Sequence, residues 1–477
     1  MKRFIRIWTM ILIAVLMSVG YAPAAFSASL PEENPAEGAK ATEKPEEEKT
    51  EEEKAKEAYE KEMEAVYKLP VQSNEVKGWA QGPGTYGEAG IVMDAGSGAI
   101  LYAKNIDSKE FPASITKALT ALLAFKYGNM QDNVLITPES LSCLGAGYAS
   151  IGLKEGNVIS MEQAMYAMLL ASSNEVACAV GETIARSNGQ EYSWFINLMN
   201  ETVKELGGTN SNFVNANGVH DEQHYTCARD MALIGRALFD YPEFFTISKT
   251  QQYTIPASET SEEHIFQQKH EMLLENDKNY YPYAIGGKTG YTTEANNTLI
   301  TMADNGKMQL VCVALKTYAG HVYTDTMALL DYGFENFRKV SIKENEDSKD
   351  IEEIPQDAYV VLPKEVEFKS LDREITMHDN QTNQATITYS YKDMPVGSAE
   401  VTMSSFYKNS DVSFSKAKDE SKEKPVQEPE QPKISKKKIL VAAVAAVVMT
   451  GFVIRMVMRY IVKSRRRRRR RHGPRPR

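Results

Sequence analysis

The chain has 477 residues, 42% of them hydrophobic and 25% charged. These proportions exclude a collagen-like, wholly disordered or polytopic membrane protein, and at about 150 residues per domain the length excludes one small module. The net charge of −9 hides a segregation: sixteen of the 55 Lys and Arg follow Pro432, where there is no Asp or Glu, leaving 39 bases against all 64 acids in residues 1–432. A body so acidic lacks the basic face that phosphate binding requires, so no nucleic acid is expected as a partner.

Residues 1–29 read as a secretory signal, with Lys2, Arg3 and Arg6 ahead of the apolar run Ile7–Val19 and small residues for cleavage near Ala28. Residues 30–74 are rich in Glu and Lys and read as an acidic disordered spacer, in part helical. From 75 to 345, short β-rich pieces (Gly90–Met93, Ala99–Ala103, Thr298–Met302, Met308–Leu315) bracket helical patterns such as Ser114–Tyr127 and Met161–Ala185. This is the pattern of a mixed α and β enzyme-sized domain.

Within that domain, Ser114-Ile115-Thr116-Lys117 sets a hydroxyl and an amine three residues apart, on one face of a helix and within reach of each other. Desolvated beside other cations, the amine loses its proton readily, and Lys117 can then take the proton of Ser114. The SxxK pattern recurs at Ser405, Ser413, Ser415, Ser421 and Ser435. Only Ser114 opens an apolar helix, Ala118–Phe125, behind a Pro112 that suits a helix start.

Ser172-Ser173-Asn174 follows the apolar stretch Met161–Leu170. Alone it reads as a polar turn capping a helix; beside a nucleophile, Ser172 can relay a proton and Asn174 can hold a substrate amide. Lys288-Thr289-Gly290 precedes an apolar strand. Alone it reads as a turn into that strand; beside a nucleophile, Lys288 and Thr289 can hold a carboxylate, and Gly290 lets a ligand approach the backbone. A phosphate loop is excluded because its first glycine would fall at Pro282.

The four cysteines form no CxxC and allow three pairings, among which the sequence does not choose; Cys178 and Cys312, in apolar runs, are expected as small buried thiols. His220 and His224 are four apart but lack an HExxH context, and neither a metal nor an organic cofactor is expected. Residues 346–415 alternate in short runs and read as a small all-β module. Residues 416–435, with Pro425, Pro429 and Pro432, read as an extended stalk, and 436–460 as a single transmembrane helix. The arginine-rich residues 461–477 belong on the cytoplasmic side, leaving everything before the helix outside.

Jointly and in this order, the three motifs are those of serine β-lactamases and penicillin-binding proteins. With Val92-Met93-Asp94-Ala95, Asn217-Gly218, His224-Tyr225-Thr226, Ala228-Arg229-Asp230-Met231-Ala232, Lys288-Thr289-Gly290-Tyr291-Thr292 and Leu330-Asp331-Tyr332-Gly333-Phe334, the chain resembles the low-molecular-weight penicillin-binding proteins, the serine D-alanyl-D-alanine carboxypeptidases. The resemblance covers about 85–340 and extends more weakly to Pro395-Val396-Gly397. It implies an α/β (α+β) penicillin-binding-protein-like transpeptidase domain followed by the small β domain.

The resemblance further implies that Ser114 attacks the carbonyl between two D-alanines of a peptidoglycan stem peptide, with Lys117 as base. Ser172 passes a proton to the leaving amine, Asn174 holds the peptide amide, and Lys288 with Thr289 holds the terminal carboxylate. The backbone N–H groups of Ser114 and Tyr291 form the oxyanion hole, and β-lactams act as acylating inhibitors. The chain departs from the family at Glu175, where Asp is usual after SxN, and at Ala295-Asn296, where Ala-Gly is usual after KTG. A β-lactamase and a catalytically idle peptidoglycan-binding scaffold are the competing readings. The anchor and β module are superfluous for the first, and the intact Ser114, Lys117, Ser172, Asn174 and Lys288 set argues against the second.

Overall fold

A computed structural model describes residues 50–145, 147–378 and 383–404. The expected signal at 1–29, the stalk, the membrane helix at 436–460 and the basic tail lie outside the described residues. Among the described residues no helix is long and apolar enough to cross a membrane.

Helix α1 (Glu51–Tyr67) occupies the second half of the expected spacer. It forms because Thr50 and Glu53 cap it reciprocally, Thr50 Oγ1 accepting from the Glu53 N–H and the Glu53 carboxylate from the Thr50 N–H, and because Glu51–Glu53 face the positive end of the helix dipole. Strands β1 (Gly87–Asp94) and β2 (Ile100–Lys104) follow as a hairpin. The chain then leaves the sheet for a helical layer: α2 (Thr116–Tyr127), β3 (Asn133–Leu135), α3 (Pro138–Ser142), β4 (Val158–Ser160), α4 (Met161–Leu169), α5 (Asn174–Ser187), α6 (Tyr192–Glu205), α7 (Ala228–Ala237) and α8 (Pro242–Lys249). After a small hairpin, β5 (Gln252–Ile255) and β6 (His264–Gln267), it returns to the sheet as β7 (Ala284–Thr292), β8 (Asn296–Asp304) and β9 (Gln309–Thr317).

The main sheet is antiparallel in the order β2-β1-β9-β8-β7, so β7 is an edge. Side chains alternate along β9: Val311 and Val313 face the core shared with α2, α4, α5 and α7, while Leu310, Cys312 and Ala314 face the core under helix α9 (Val322–Asn336). Both faces are therefore covered, which is why these strands read as nearly unbroken apolar runs. Glycines let the helices sit close: a Cβ at Gly235 of α7 would meet Val311, and one at Gly333 of α9 would meet Leu310.

Beyond α9 come β10 (Phe337–Ser341), the short α10 (Ile342–Asn345), β11 (Ile351–Glu353), β12 (Tyr359–Pro363), β13 (Asp372–Met377), β14 (Gln384–Tyr391) and β15 (Met394–Met403). Strands β10 and β12 pair as a ribbon, and the rest form a sheet in the order β11-β15-β14-β13. Tyr359 donates its hydroxyl to Asp94 at the end of β1, 2.9 Å away, and Gly397 brings β15 against the Tyr359 carbonyl, where a Cβ would stand at 2.9 Å. The β module is docked on the catalytic domain through the Tyr359–Asp94 hydrogen bond and an apolar cluster that the two share.

Candidate active site

Ser114 lies in a 3-10 turn, Ala113–Ile115, one turn earlier than the start of α2. Ala113 has φ of 50°, a conformation costly for a residue with a Cβ, and two contacts hold it there. Thr116 Oγ1 donates to the Ala113 carbonyl at 2.9 Å, and Gly218 packs against that same carbonyl. His224 supports the arrangement. Its Nδ1 accepts from the Val214 N–H at 3.1 Å, so Nε2 carries the proton and donates to Thr116 Oγ1 at 2.9 Å. Both nitrogens are spent inside the protein, and burial pushes the imidazole down to about 3.

Lys117 is fully buried in α2, with Nζ 3.0 Å from Ser114 Oγ, 2.7 Å from Asn174 Oδ1 and 2.6 Å from the Asn217 carbonyl. Burial holds its pKa well below the usual lysine range, and the nearby ammonium groups of Lys288 and Lys269 push in the same direction, while Glu175 opposes them. The hydroxyl and amine expected from SxxK spacing are therefore in contact, with the amine in the environment that makes it a base.

Asn174 begins α5, and its N–H donates to the Ala149 carbonyl at 3.0 Å. Helix capping does not account for the preceding serines. Ser173, at the cap position, makes no side-chain cap bond and its buried hydroxyl has no partner among the described residues, while Ser172 is held at φ of 63°. Because Asn174 Oδ1 is engaged by Lys117, its amide nitrogen is the end left to offer a ligand. The Ser172 hydroxyl makes no hydrogen bond to the described residues.

Lys288 comes from the edge strand β7, its side chain buried and its Nζ 2.8 Å from the Thr289 carbonyl. Burial, and then Lys269, push it down to about 7. Gly290 serves a different close approach from the one expected. A Cβ there would meet Thr298 Oγ1, and the Ser114 N–H nitrogen at 2.9 Å, so the glycine lets β7 lie against the turn that holds Ser114. Thr298 fixes the same turn by donating to the Pro112 carbonyl at 2.8 Å. The backbone of Tyr291 follows directly, with its side chain exposed. Ala295 ends the β7–β8 turn and Asn296 opens β8 with φ of 50°, and the pairing of Lys288–Thr292 with β8 is unbroken.

Lys269 was not singled out from the sequence, and the contacts of Glu175 and Asn217 were not foreseen there. Lys269, just after β6, donates to the Ala171 carbonyl at 2.8 Å. Glu175 accepts from Ser150 Oγ at 2.6 Å and the Ile151 N–H at 3.0 Å, which ties the 143–151 loop to α5. Asn217 acts through its carbonyl, and no side-chain pattern signals that. The expectation of a free thiol at Cys178 is corrected: it is bonded to Cys143, clamping the same loop to α5 one turn beyond Asn174. Cys312 is free and buried in β9.

Residues 79–318 match the family model described as D-alanyl-D-alanine carboxypeptidase. Among curated relatives, the D-alanyl-D-alanine carboxypeptidase DacF of Bacillus subtilis is 28% identical over 312 residues, 61% of this chain and 77% of that protein. DacB2 of Mycobacterium tuberculosis is 30% identical over 254 residues, 51% of this chain and 81% of that protein. Among solved structures, penicillin-binding protein 5 from Haemophilus influenzae superposes with a TM-score of 0.53 over 68% of this chain and 98% of that one, at 22% identity, which speaks to the fold.

Proposed function

The chain belongs to the D-alanyl-D-alanine carboxypeptidase family, and from its site we infer that Ser114 is the nucleophile that releases the terminal D-alanine of a peptidoglycan stem peptide. The observation that carries this assignment is the 3.0 Å approach of Ser114 Oγ to a fully buried lysine that also holds Asn174.

Neutral Lys117 takes the proton as Ser114 Oγ adds to the carbonyl carbon of the penultimate D-alanine. The oxyanion forms against the N–H groups of Ser114 and Tyr291, a contribution on the order of 3 kcal/mol for one such donor. Asn174 Nδ2 holds the peptide carbonyl of the stem, and Lys288 with Thr289 Oγ1 holds the terminal carboxylate. As the C–N bond breaks, Ser172 gives its hydroxyl proton to the departing amine and takes up the one Lys117 had accepted, so D-alanine leaves and Lys117 is neutral again. Water then adds to the ester, Lys117 again accepting a proton, and Ser114 is regenerated with the shortened peptide. A β-lactam follows the same first step but keeps its amine tethered, so the adduct persists. The signal at 1–29 and the uncharged run Ile439–Ile454 within 436–460 support an exported enzyme, anchored by its C-terminal segment with the catalytic domain outside.

The test is mass spectrometry of the full-length protein with benzylpenicillin, beside Ser114→Ala, followed over hours and repeated with a D-Ala-D-Ala peptide. The expected result is one lasting adduct on the wild type alone and free D-alanine from the peptide. Rapid loss of the adduct as hydrolysed drug would point to a β-lactamase; no adduct and no release from folded protein would point to a binding scaffold.

A further inference from the structure

We propose that Tyr192 and Thr120 are positioning residues that aim the lone pair of the Lys117 amine at Ser114, by fixing the backbone of Ala216 and Asn217. The inference rests on the assignment of Lys117 as the base for Ser114. A neutral amine has two N–H groups and one lone pair, and Lys117 Nζ has three hydrogen-bond partners among the described residues. Asn174 Oδ1 at 2.7 Å and the Asn217 carbonyl at 2.6 Å can only accept, so they take the two N–H groups. The lone pair is then left facing Ser114 Oγ at 3.0 Å. Without the Asn217 carbonyl, one N–H is free to turn toward Ser114 and the lone pair points elsewhere.

Asn174 is held by its place at the start of α5, but residues 213–219 belong to no helix or strand, so the Asn217 carbonyl has no ladder to fix it. Side chains from two helices do so instead. Thr120 Oγ1, one turn beyond Lys117 on α2, donates to the Ala216 carbonyl at 2.6 Å. Tyr192, the first residue of α6, accepts from the Ala216 N–H at 3.2 Å and donates to Cys178 Sγ at 3.6 Å. Asn217 Nδ2 donates to the same sulfur at 3.5 Å. That sulfur is carried by α5 and bonded to Cys143, so it is a fixed acceptor for both. Both backbone polar groups of Ala216 are thus pinned, one residue before the carbonyl that takes Lys117.

The phenol is built into this place. Gly181 of α5 leaves room for its ring, since a Cβ there would stand 2.9 Å from Tyr192 Cε2. Burial pushes the hydroxyl up to about 12, so it keeps its proton, and with it both a donor and an acceptor role, at any pH near neutrality. Phenylalanine fills the same space and loses both bonds, which lets the oxygen be tested apart from the ring.

The experiment is Tyr192→Phe in the full-length protein, with kcat and KM for D-alanine release from a D-Ala-D-Ala peptide measured across pH beside thermal melts. Moving the Asn217 carbonyl by about half an ångström is expected to lower kcat by about tenfold, given about a hundredfold for 1 Å, with KM within about twofold of wild type. The carbonyl also stabilises the Lys117 ammonium, so its retreat lowers the Lys117 pKa and moves the acidic limb of kcat/KM to lower pH. Lys288, Lys269 and Glu175, the charged groups around Lys117, are all left in place by the substitution. A protein that is merely less folded loses rate at every pH and keeps its limb. Tyr102→Phe is the control for that case, since it removes the hydroxyl of another buried tyrosine from the Pro83 carbonyl, on the opposite edge strand β2. Thr120→Val frees the other polar group of Ala216 and is expected to give the same signature, so it carries the test if Tyr192→Phe melts too low to assay. An unmoved acidic limb in the variant assayed, with or without a fall in rate, overturns the positioning role while leaving the peptidase assignment standing. No D-alanine release by the wild type overturns the assignment of Ser114 and Lys117 instead.

Discussion

Gly218→Ala separates backbone cost from damage to the nucleophile. Gly218 has φ of +83°, and a Cβ built there would stand 1.8 Å from the Ala113 carbonyl oxygen and 3.0 Å from the Ser114 nitrogen. Restoring ordinary contact means moving that carbonyl by roughly 1.6 Å, and the same peptide group carries the Ser114 N–H. A misplacement of about 1 Å costs on the order of a hundredfold in rate. Gly207→Ala is the control: its φ is +92°, but nothing lies within 4 Å of the added methyl. Both variants are expected to lose about 1 kcal/mol for alanine at positive φ. Gly207→Ala then acylates with benzylpenicillin at the wild-type rate, while Gly218→Ala falls by about a hundredfold or more, as measured by stopped-flow acylation beside thermal melts. Gly218→Ala acylating within about threefold of wild type would refute the argument that this glycine positions the nucleophile's turn.

Two further outcomes follow from the electrostatics and the disulfide. On the proposed mechanism Lys117 works neutral, so kcat/KM is expected to be lost as pH falls through its depressed pKa; Lys288 would hold a carboxylate when charged, so kcat/KM is also expected to decline as pH rises past about 7. Lys269 lowers both, and Lys269→Met is expected to move both limbs of the profile to higher pH; a shift of either limb downward contradicts the assignment. The Cys143–Cys178 bridge closes a loop of 35 residues, worth about 4 kcal/mol by chain entropy. Dithiothreitol should lower the melting temperature of the wild type but not of Cys143→Ala with Cys178→Ala, and an unchanged wild-type melt would show that the bridge contributes nothing.

What could be read from the sequence follows from which interactions are local. Ser114 and Lys117 are three residues apart, so helical geometry alone brings hydroxyl and amine together, and the apolar run after them announces the burial that makes the amine a base. Lys288-Thr289-Gly290 was legible as a strand motif by its place before an apolar strand, but the reason for Gly290 was not. The atoms it avoids, Thr298 Oγ1 and the Ser114 nitrogen, belong to a neighbouring strand and to a turn 176 positions away. Lys269 and the carbonyl of Asn217 carry no pattern, since one lies on a loop and the other is backbone. Pairing of Cys143 with Cys178 depends on how a loop folds over α5, and no spacing rule reaches that. Helix α1 is a charged segment whose local capping box was readable, while the tyrosine contacts that seat it on the sheet required the sheet itself.

The three lysines give the pocket a logic that none has alone. Lys117 and Lys288 are buried, the exposed Lys269 acts on both electrostatically, and Glu175, the carboxylate that raises Lys117, already accepts two hydrogen bonds from the 150–151 loop. Mutual repulsion and desolvation keep the amines short of protons, which makes Lys117 available as a base before any substrate arrives. On the proposed reading, the substrate brings the missing anion. Its carboxylate beside Lys288 stabilises that ammonium and offsets the field that had depressed Lys117, so the base becomes more basic when the ester-forming step begins. The same arrangement favours the acceptance of a proton from Ser114 in the bound state over idle protonation in the free one. It also explains why a stable fold keeps two buried cations, Lys117 and Lys288, that hydrophobic residues of equal volume would pack at lower cost.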